Sequence, residues 1–283
     1  YEPLDTSSSQ IRLVQVSSTT GVAIRCAIET FDLDTYPEYE ALSYTWGPPP
    51  PTRTIFLNGQ QFHVRENLWC FLDHVARNSI ASLAGVEFEP RYLWIDQLSI
   101  DQSSTAEKSH QVRQMAQIFK QARRVVAWLG EEEAGSDAAM QLIGRAVGRL
   151  FRRRYWTRLW IVQELILAQD LIIACGNCAV PFVGVRMVDA SLYLLDQRSF
   201  DVDAHGLLDL FPDQVRFLVI WTQDSPRQRR SPEMVPEVFM VYSGMECENP
   251  KDKVYALSAI VEGRLDITVD YSRPASWVYW DVM

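Results

Sequence analysis

The chain has 283 residues, 47% hydrophobic and 22% charged, a balance that excludes a disordered tail or a low-complexity scaffold. Its formal charge of -9 argues against a nucleic-acid binder that works through a basic face. At roughly 150 residues per domain, the length suits one large domain or two small ones.

No apolar run approaches the roughly 20 residues of a membrane span. Residues 1–5 have neither the basic nor the apolar region of a signal peptide. The chain starts without Met and stops at Tyr279-Trp280-Asp281-Val282-Met283, so it is expected to be a fragment of something longer. Five cysteines, an odd and sparse set, point to a reducing compartment and hence a cytoplasmic location.

In chain order, residues 10–28 read as a β-hairpin that turns at residues 17–21. The apolar run 41–47 reads as a buried strand stopped by Gly47 and the prolines at 48–51. Residues 54–64 form a second hairpin, with Asn58-Gly59 as its type I′ turn. Leu68, Phe71, Leu72 and Val75 have helical spacing across residues 66–77. Residues 92–96 predict a buried strand, and 97–106 a polar loop. Ser104 and Glu107 stand at capping-box spacing for a helix over 107–122, with Val112, Met115, Ile118 and Phe119 facing inward. Residues 124–130 predict another strand, 137–150 and 155–168 helices, and 171–175 a strand that turns at Gly176-Asn177.

Apolar strands alternating with helices indicate an α/β fold with a parallel central sheet covered by helices. Beyond residue 184 the pattern is mostly helical: 185–195, 206–221, 232–242 and 251–260. A short strand at 266–269 and a last helix from Ala275 follow. The expected organisation is a core over 1–183 and a helical extension over 184–283 packed on the same domain. The loop around residues 227–230 is expected to be exposed.

Nucleotide fingerprints are missing: no G-x-G-x-x-G follows a strand and no P-loop is present. Gly144-x-x-x-Gly148 reads as close helix packing. Cys175-Gly176-Asn177-Cys178 is a lone C-x-x-C without the further ligands zinc needs, so it reads as a hairpin turn, and no metal site is expected. No G-x-S-x-G elbow is present, and the four histidines are scattered.

Ligands of open parallel sheets sit beyond the carboxyl ends of the strands. Ser43, Tyr44, Thr45 and Trp46 end the first core strand. Asp96 ends the second, followed by Gln97. Trp156, Trp160 and Glu164 stand at i, i+4 and i+8, which places them on one helix face. A carboxylate between tryptophans is partly desolvated, which raises its pKa and suits catalysis. Core packing of the two tryptophans and an ion pair of Glu164 with Arg158 or Arg154 give the alternative reading. The arginines at 152–154 and Arg158 read either as a solvated surface or as a phosphate clamp. Caps or loop Asx turns are the commoner fate of Asp beside a strand end, and Asp96 and Asp101 fit that reading too. Trp69, Trp221, Trp277 and Trp280 are expected to pack helices.

Three blocks resemble the fungal heterokaryon-incompatibility (HET) domain. The first is Tyr39-Glu40-Ala41-Leu42-Ser43-Tyr44-Thr45-Trp46-Gly47. The second is Leu93-Trp94-Ile95-Asp96-Gln97-Leu98-Ser99-Ile100-Asp101-Gln102 with its continuation to Gly130. The third is Tyr155-Trp156-Thr157-Arg158-Leu159-Trp160-Ile161-Val162-Gln163-Glu164. Asp252 to Leu257 and Val269 to Ser272 are weaker echoes. At Gln97-Leu98-Ser99 the chain departs from the small residue, β-branched residue and Cys more common in the family.

The resemblance implies cell-death signalling in non-self recognition by filamentous fungi. It also implies a distant TIR-like, flavodoxin-like fold. Some TIR domains cleave NAD+ with a Glu in a W-x-x-x-E motif, and Trp160 to Glu164 has that spacing. On this reading Glu164 is the catalytic residue. Ser43, Tyr44, Thr45, Trp46, Asp96, Gln97, Arg158 and Trp160 contact substrate: Trp46, Tyr44 or Trp160 stacks on a base, and Arg158 faces phosphate. NAD+ or a related nucleotide is then a substrate, and no cofactor is required. The alternatives are a non-enzymatic module that self-associates or acts through other death-signalling proteins, and a nucleotide-binding sensor.

Overall fold

The computed structural model describes residues 2–17, 23–50, 52–82, 88–131, 151, 153–182, 234–261 and 267–282. The expected helices at 137–150, 185–195 and 206–221, the Gly144–Gly148 pair, Trp221 and the loop at 227–230 lie outside the described residues.

Strands β1 (Gln10–Ser17) and β2 (Arg25–Asp32) pair antiparallel, as alternation predicts, although the return strand runs further than expected. Strand β3 is Glu40–Tyr44. Strands β4 (Thr52–Leu57) and β5 (Gln60–Arg65) form the second hairpin, and Asn58 and Gly59 both have positive φ, as a type I′ turn requires. Helix α1 (Glu66–Ala76) follows, then β6 (Ala81–Ser82) and β7 (Leu93–Trp94).

The segment expected as a polar loop opens with a short helix, α2 (Asp96–Ser99). In α3 (Thr105–Gln121) Ser104 is the N-cap, its Oγ accepting from the Glu107 amide at 3.2 Å. Strand β8 is Arg124–Trp128, and β9 (Leu171–Cys175) and β10 (Cys178–Pro181) form a third hairpin. The C-x-x-C is therefore a turn, with Cys175 opposite Cys178 and both side chains buried.

The helix expected over 155–168 is broken. A 3-10 turn (Arg154–Thr157) is followed by extended backbone at Arg158, and only then by α4 (Ile161–Ile166). The break has a tertiary cause. The Leu159 amide donates to the Glu246 carbonyl at 2.9 Å and the Glu246 amide donates to the Thr157 carbonyl, which holds residues 157–159 out of helix. Helices α5 (Met234–Tyr242), α6 (Asp252–Ser258) and α7 (Ala275–Trp280) complete the described elements. Residues 267–270 form no strand, contrary to the short strand expected there. Among the described residues no helix is long and apolar enough to cross a membrane.

The described strands form one ten-stranded sheet in the order β5-β4-β2-β1-β7-β3-β8-β9-β10-β6. The expectation of a parallel sheet needs correction, because this sheet is mixed. Strands β7, β3, β8 and β9 are mutually parallel, but β1 joins β7 antiparallel, and β10 turns back on β9. Hairpin partners must run antiparallel when the turn is short. Here the hairpins were absorbed into the main sheet.

Side-chain alternation sorts the core into two layers. Ala41, Trp94, Val125, Ala127 and Ile173 face α3, α4, α5 and α6. Leu42, Tyr44, Leu93, Val126, Trp128 and Ile172 face α1. Val238, Tyr242, Val254, Leu257 and Val278 of the C-terminal helices join the first layer.

The four parallel strands, numbered in chain order, lie as second, first, third, fourth. The winding direction reverses between β3 and β8, so their carboxyl ends form a switch point of the kind where α/β proteins place ligands. Asn67 of α1 ties these ends together. Its Nδ2 donates to the Thr45 carbonyl at 2.6 Å, and its Oδ1 accepts from Trp128 Nε1 at 2.9 Å. Gly47 and Gly130, with φ of 79° and 100°, let the chain turn away on either side.

Candidate functional site

A cavity of about 230 Å³ opens beyond the carboxyl ends of β3 and β7. The β3 end contributes Thr45, Trp46 and Gly47, and α2 contributes Asp96. Arg158, Trp160 and Glu164 come from the broken segment and α4, and Lys108 and Val112 from α3. Residues 246–249, Asp252 and Tyr271 supply a wall from the C-terminal part.

Glu164 is 3% exposed. Ser43 points to the same layer as α4, because it shares the parity of Ala41, and its Oγ donates to Glu164 Oε2. The Tyr155 hydroxyl lies 2.6 Å from the same Oγ, with Tyr155 donating once the serine hydrogen is committed to Glu164. Arg158 Nη1 stands 3.8 Å from Glu164 Oε2. Burial pushes the Glu164 pKa up, while Arg158 and then Ser43 hold it down. Burial also raises Asp96, against the pull of Arg158 and of Trp46 Nε1, which donates to Asp96 Oδ2 at 2.7 Å. Arg65 stacks 5.0 Å from the Trp46 ring centroid.

A second indole–carboxylate pair lies in the C-terminal wall. Trp160 Nε1 donates to Asp252 Oδ2 at 3.2 Å, and the Tyr271 hydroxyl donates to Asp252 Oδ1 at 2.7 Å. Burial raises the Asp252 pKa, and these two hydrogen bonds oppose the shift. Two groups bordering the cavity have no hydrogen-bond partner: Arg158 Nη1 and Thr45 Oγ1 are both buried and unsatisfied. Such groups are costly unless something accepts from them.

Of the residues expected to form the site, Thr45, Trp46, Asp96, Arg158, Trp160 and Glu164 border one cavity. Ser43 supports Glu164 from behind. Tyr44 is 1% exposed and does not border the cavity; its hydroxyl donates to Gln97 Oε1 at 3.3 Å, and Gln97 is likewise outside the lining. Trp156 does not share the Glu164 face, because the helix is broken. It packs against Phe151 and Tyr155, with ring centroids at 4.6 and 4.9 Å. Arg154 reaches the rim and pairs with Glu246 at 3.3 Å. Asp101 caps its own loop through Ser103. Trp277 and Trp280 do not pack helices: they are 63% and 71% exposed.

Sequence patterning does not single out Lys108, Asp252 or Tyr271. The signal that marks them is the family resemblance: Lys108 lies in the continuation of the second block, and Asp252 to Leu257 and Val269 to Ser272 are its weaker echoes. Among the described residues no group of His, Cys, Asp and Glu could hold a metal ion.

The fold and cavity thus define an α/β domain with a charged, tryptophan-lined pocket at its strand ends. Residues 39–147 match the family described as Heterokaryon incompatibility protein (HET). This match, together with the relative that follows, supports a HET-domain protein. It is 26% identical over 343 aligned positions to Heterokaryon incompatibility protein 6, OR allele, of Neurospora crassa, covering 95% of this chain and 50% of that protein. It therefore spans about half the length of the curated relative it matches. No solved structure matches it. The family match includes Thr45, Trp46, Asp96 and Lys108 and stops before Arg158, Glu164, Asp252 and Tyr271.

Proposed function

We propose that this domain hydrolyses NAD+ to nicotinamide and ADP-ribose through Glu164, as a cell-death signal in fungal non-self recognition. The observation that carries the reading is a buried carboxylate at a cavity wall, held by Ser43 from the end of β3 and faced by Arg158. The strand order of the parallel block and the Trp160-x-x-x-Glu164 spacing support a TIR-like, flavodoxin-like ancestry.

The chemistry follows from the geometry. As the bond between nicotinamide and C1′ breaks, its electron pair leaves with the ring nitrogen and neutralises it. The ribose is left with oxocarbenium character, and a carboxylate in a water-poor site stabilises that charge. Water then adds at C1′ and loses a proton, giving ADP-ribose. Trp46 and Trp160 offer faces for the flat ring. Arg158 and Thr45 border the cavity and are of the types that suit phosphate or hydroxyl oxygens.

The test compares nicotinamide release from NAD+ by wild type and Glu164→Ala at matched, high protein concentration. Loss of the carboxylate should reduce turnover at least about 100-fold, as for other preorganised electrostatic groups. Equal turnover in the folded variant would falsify the assignment.

One observation favours a second reading, a self-associating module without enzymatic activity. Met240, Trp277 and Trp280 are largely exposed. A chain that assembles through Trp277 and Trp280 while releasing no nicotinamide would select it.

A further inference from the structure

The cavity wall built by the C-terminal part carries a carboxylate with unused capacity. Asp252 opens α6, is 6% exposed and borders the cavity. Each of its oxygens already accepts one hydrogen bond, Oδ1 from Tyr271 and Oδ2 from Trp160. An ionised carboxylate has about four acceptor positions, so capacity remains beyond these two bonds and the influence of the Asn249 backbone. That capacity suits a ligand with neighbouring donors.

The surroundings narrow the donor type. Lys108 borders the cavity and lies 4.8 Å from the Tyr271 ring centroid, and its charge acts on Asp252. A cationic donor would meet that ammonium group. Neutral hydroxyls meet no such penalty. The two bonds already present also fix the carboxylate plane, since Tyr271 is 9% exposed and Trp160 is anchored just ahead of α4. We propose that Asp252 reads a ribose diol of the nucleotide in this cavity, accepting one hydrogen bond from each hydroxyl while Tyr271 and Trp160 hold it in place.

This rests on the nucleotide reading above but adds a residue outside the family-matched segment and outside the Trp-x-x-x-Glu pattern. It assigns ligand selectivity to the C-terminal part, with Glu164 retained for the chemistry. Asp252 is a positioning and selectivity residue here; its removal should not abolish bond cleavage as removal of Glu164 does.

The experiment is calorimetric binding of ADP-ribose, and of analogues lacking one hydroxyl on either ribose, to the full chain. Wild type, Asp252→Asn and Tyr271→Phe are compared. Hydrogen bonds to a charged group predict that wild type binds one analogue roughly 10- to 100-fold more weakly than ADP-ribose. Asp252→Asn should bind ADP-ribose more weakly and lose most of that discrimination. Tyr271→Phe keeps the carboxylate and should keep the discrimination, even if its overall affinity falls. A purely structural role would weaken ADP-ribose and analogue alike and preserve their ratio. The proposal is overturned if Asp252→Asn discriminates as strongly as wild type, or if Tyr271→Phe loses the discrimination as fully as Asp252→Asn. Wild type that binds ADP-ribose but releases no nicotinamide would sink the hydrolase reading and leave the diol assignment standing. Wild type that binds no ADP-ribose would sink the diol assignment.

Discussion

The hydroxyl of Ser43 donates to the carboxylate of Glu164 across 121 residues of sequence. Ser43 reaches it because it lies near the carboxyl end of β3 on the face that α4 covers, and α4 reaches it because the chain straightens at Arg158 before turning helical again. The pair joins the central strand of the parallel block to the proposed catalytic residue. The Tyr155 hydroxyl completes a three-membered chain of hydrogen bonds.

The acid limb of nicotinamide release should track this chain. Glu164 must be ionised to stabilise positive charge, and burial already raises its pKa, so activity should fall with decreasing pH earlier than for an ordinary carboxylate. Both Ser43→Ala and Arg158→Gln remove a group that favours the ionised form, so both should move the limb to higher pH. Arg158→Gln should move it further, because the arginine is the larger of the two influences. A pH–rate profile of each variant checks the order. Unshifted profiles would mean that another group governs the limb.

Arg12 and Glu107 form a buried ion pair that holds the loop beside the cavity. Arg12 Nη1 approaches Glu107 Oε1 at 2.5 Å and also donates to the Ser99 carbonyl, while Glu107 Oε1 accepts from the Asp101 amide at 2.7 Å. Glu107 is thus more than the expected capping residue. Glu107→Ala should cost about 3–5 kcal/mol, because it removes the carboxylate that balances a buried guanidinium charge. The double replacement Arg12→Met, Glu107→Leu should cost less than that single change. Urea denaturation of the three proteins measures the difference.

Glu40 makes stability depend on pH. It is 5% exposed, its Oε2 has no hydrogen-bond partner, and its Oε1 is 3.6 Å from Arg124. Burial pushes its pKa from 4.5 up to about 7, with Arg124 pulling the other way. The folded state therefore binds this proton more tightly than the unfolded chain. The contribution is fully present below about pH 4.5 and is lost as pH rises through about 7. The loss is on the order of 3 kcal/mol. Asp96, Glu164 and Asp252 add slopes of the same sign. Glu40→Gln should remove one slope alone, so its stability relative to wild type should rise between pH 4.5 and pH 7. Denaturation at a series of pH values is the measurement, and a constant difference would refute the account.

Two fully buried tryptophans should respond differently to the same change. Trp94 packs edge-on against Phe119 at 5.5 Å, and its Nε1 has no partner. Trp128 packs against Phe71, and its Nε1 is bonded to Asn67. Replacement of Trp94 by Phe removes an unsatisfied donor along with some volume. Trp128→Phe also breaks the tie between the ends of β3 and β8. Trp128→Phe should cost about 1 kcal/mol more than Trp94→Phe. Thermal unfolding of both variants decides it.

Much of the local structure was legible. Alternation marked the strands from Gln10 onward, Asn58-Gly59 marked its turn, and Ser104 marked the start of α3. These signals depend on neighbours within a few residues, so sequence carries them directly. The helix predicted over 155–168 failed for the opposite reason. Trp156 to Glu164 has good helical spacing, but backbone bonds to Glu246, far along the chain, win at residues 157–159. The mixed sheet was hidden in the same way, because alternation shows that β1 is a strand but not that its free edge meets Leu93.

By itself, the sequence determined an acidic α/β chain with HET-type blocks, and it marked Glu164 and the residues after the first two core strands as the place to look. Only the tertiary structure decided that Ser43 and Arg158 hold Glu164, that Trp156 belongs to the core, and that Asp252 and Tyr271 border the same cavity. The division has a physical cause. Strand and helix patterns arise from contacts a few residues apart, whereas a site is made of long-range contacts whose partners leave no periodic trace. A lone Asp252 reads like any helix-opening aspartate until Trp160 and Tyr271 are seen to hold it.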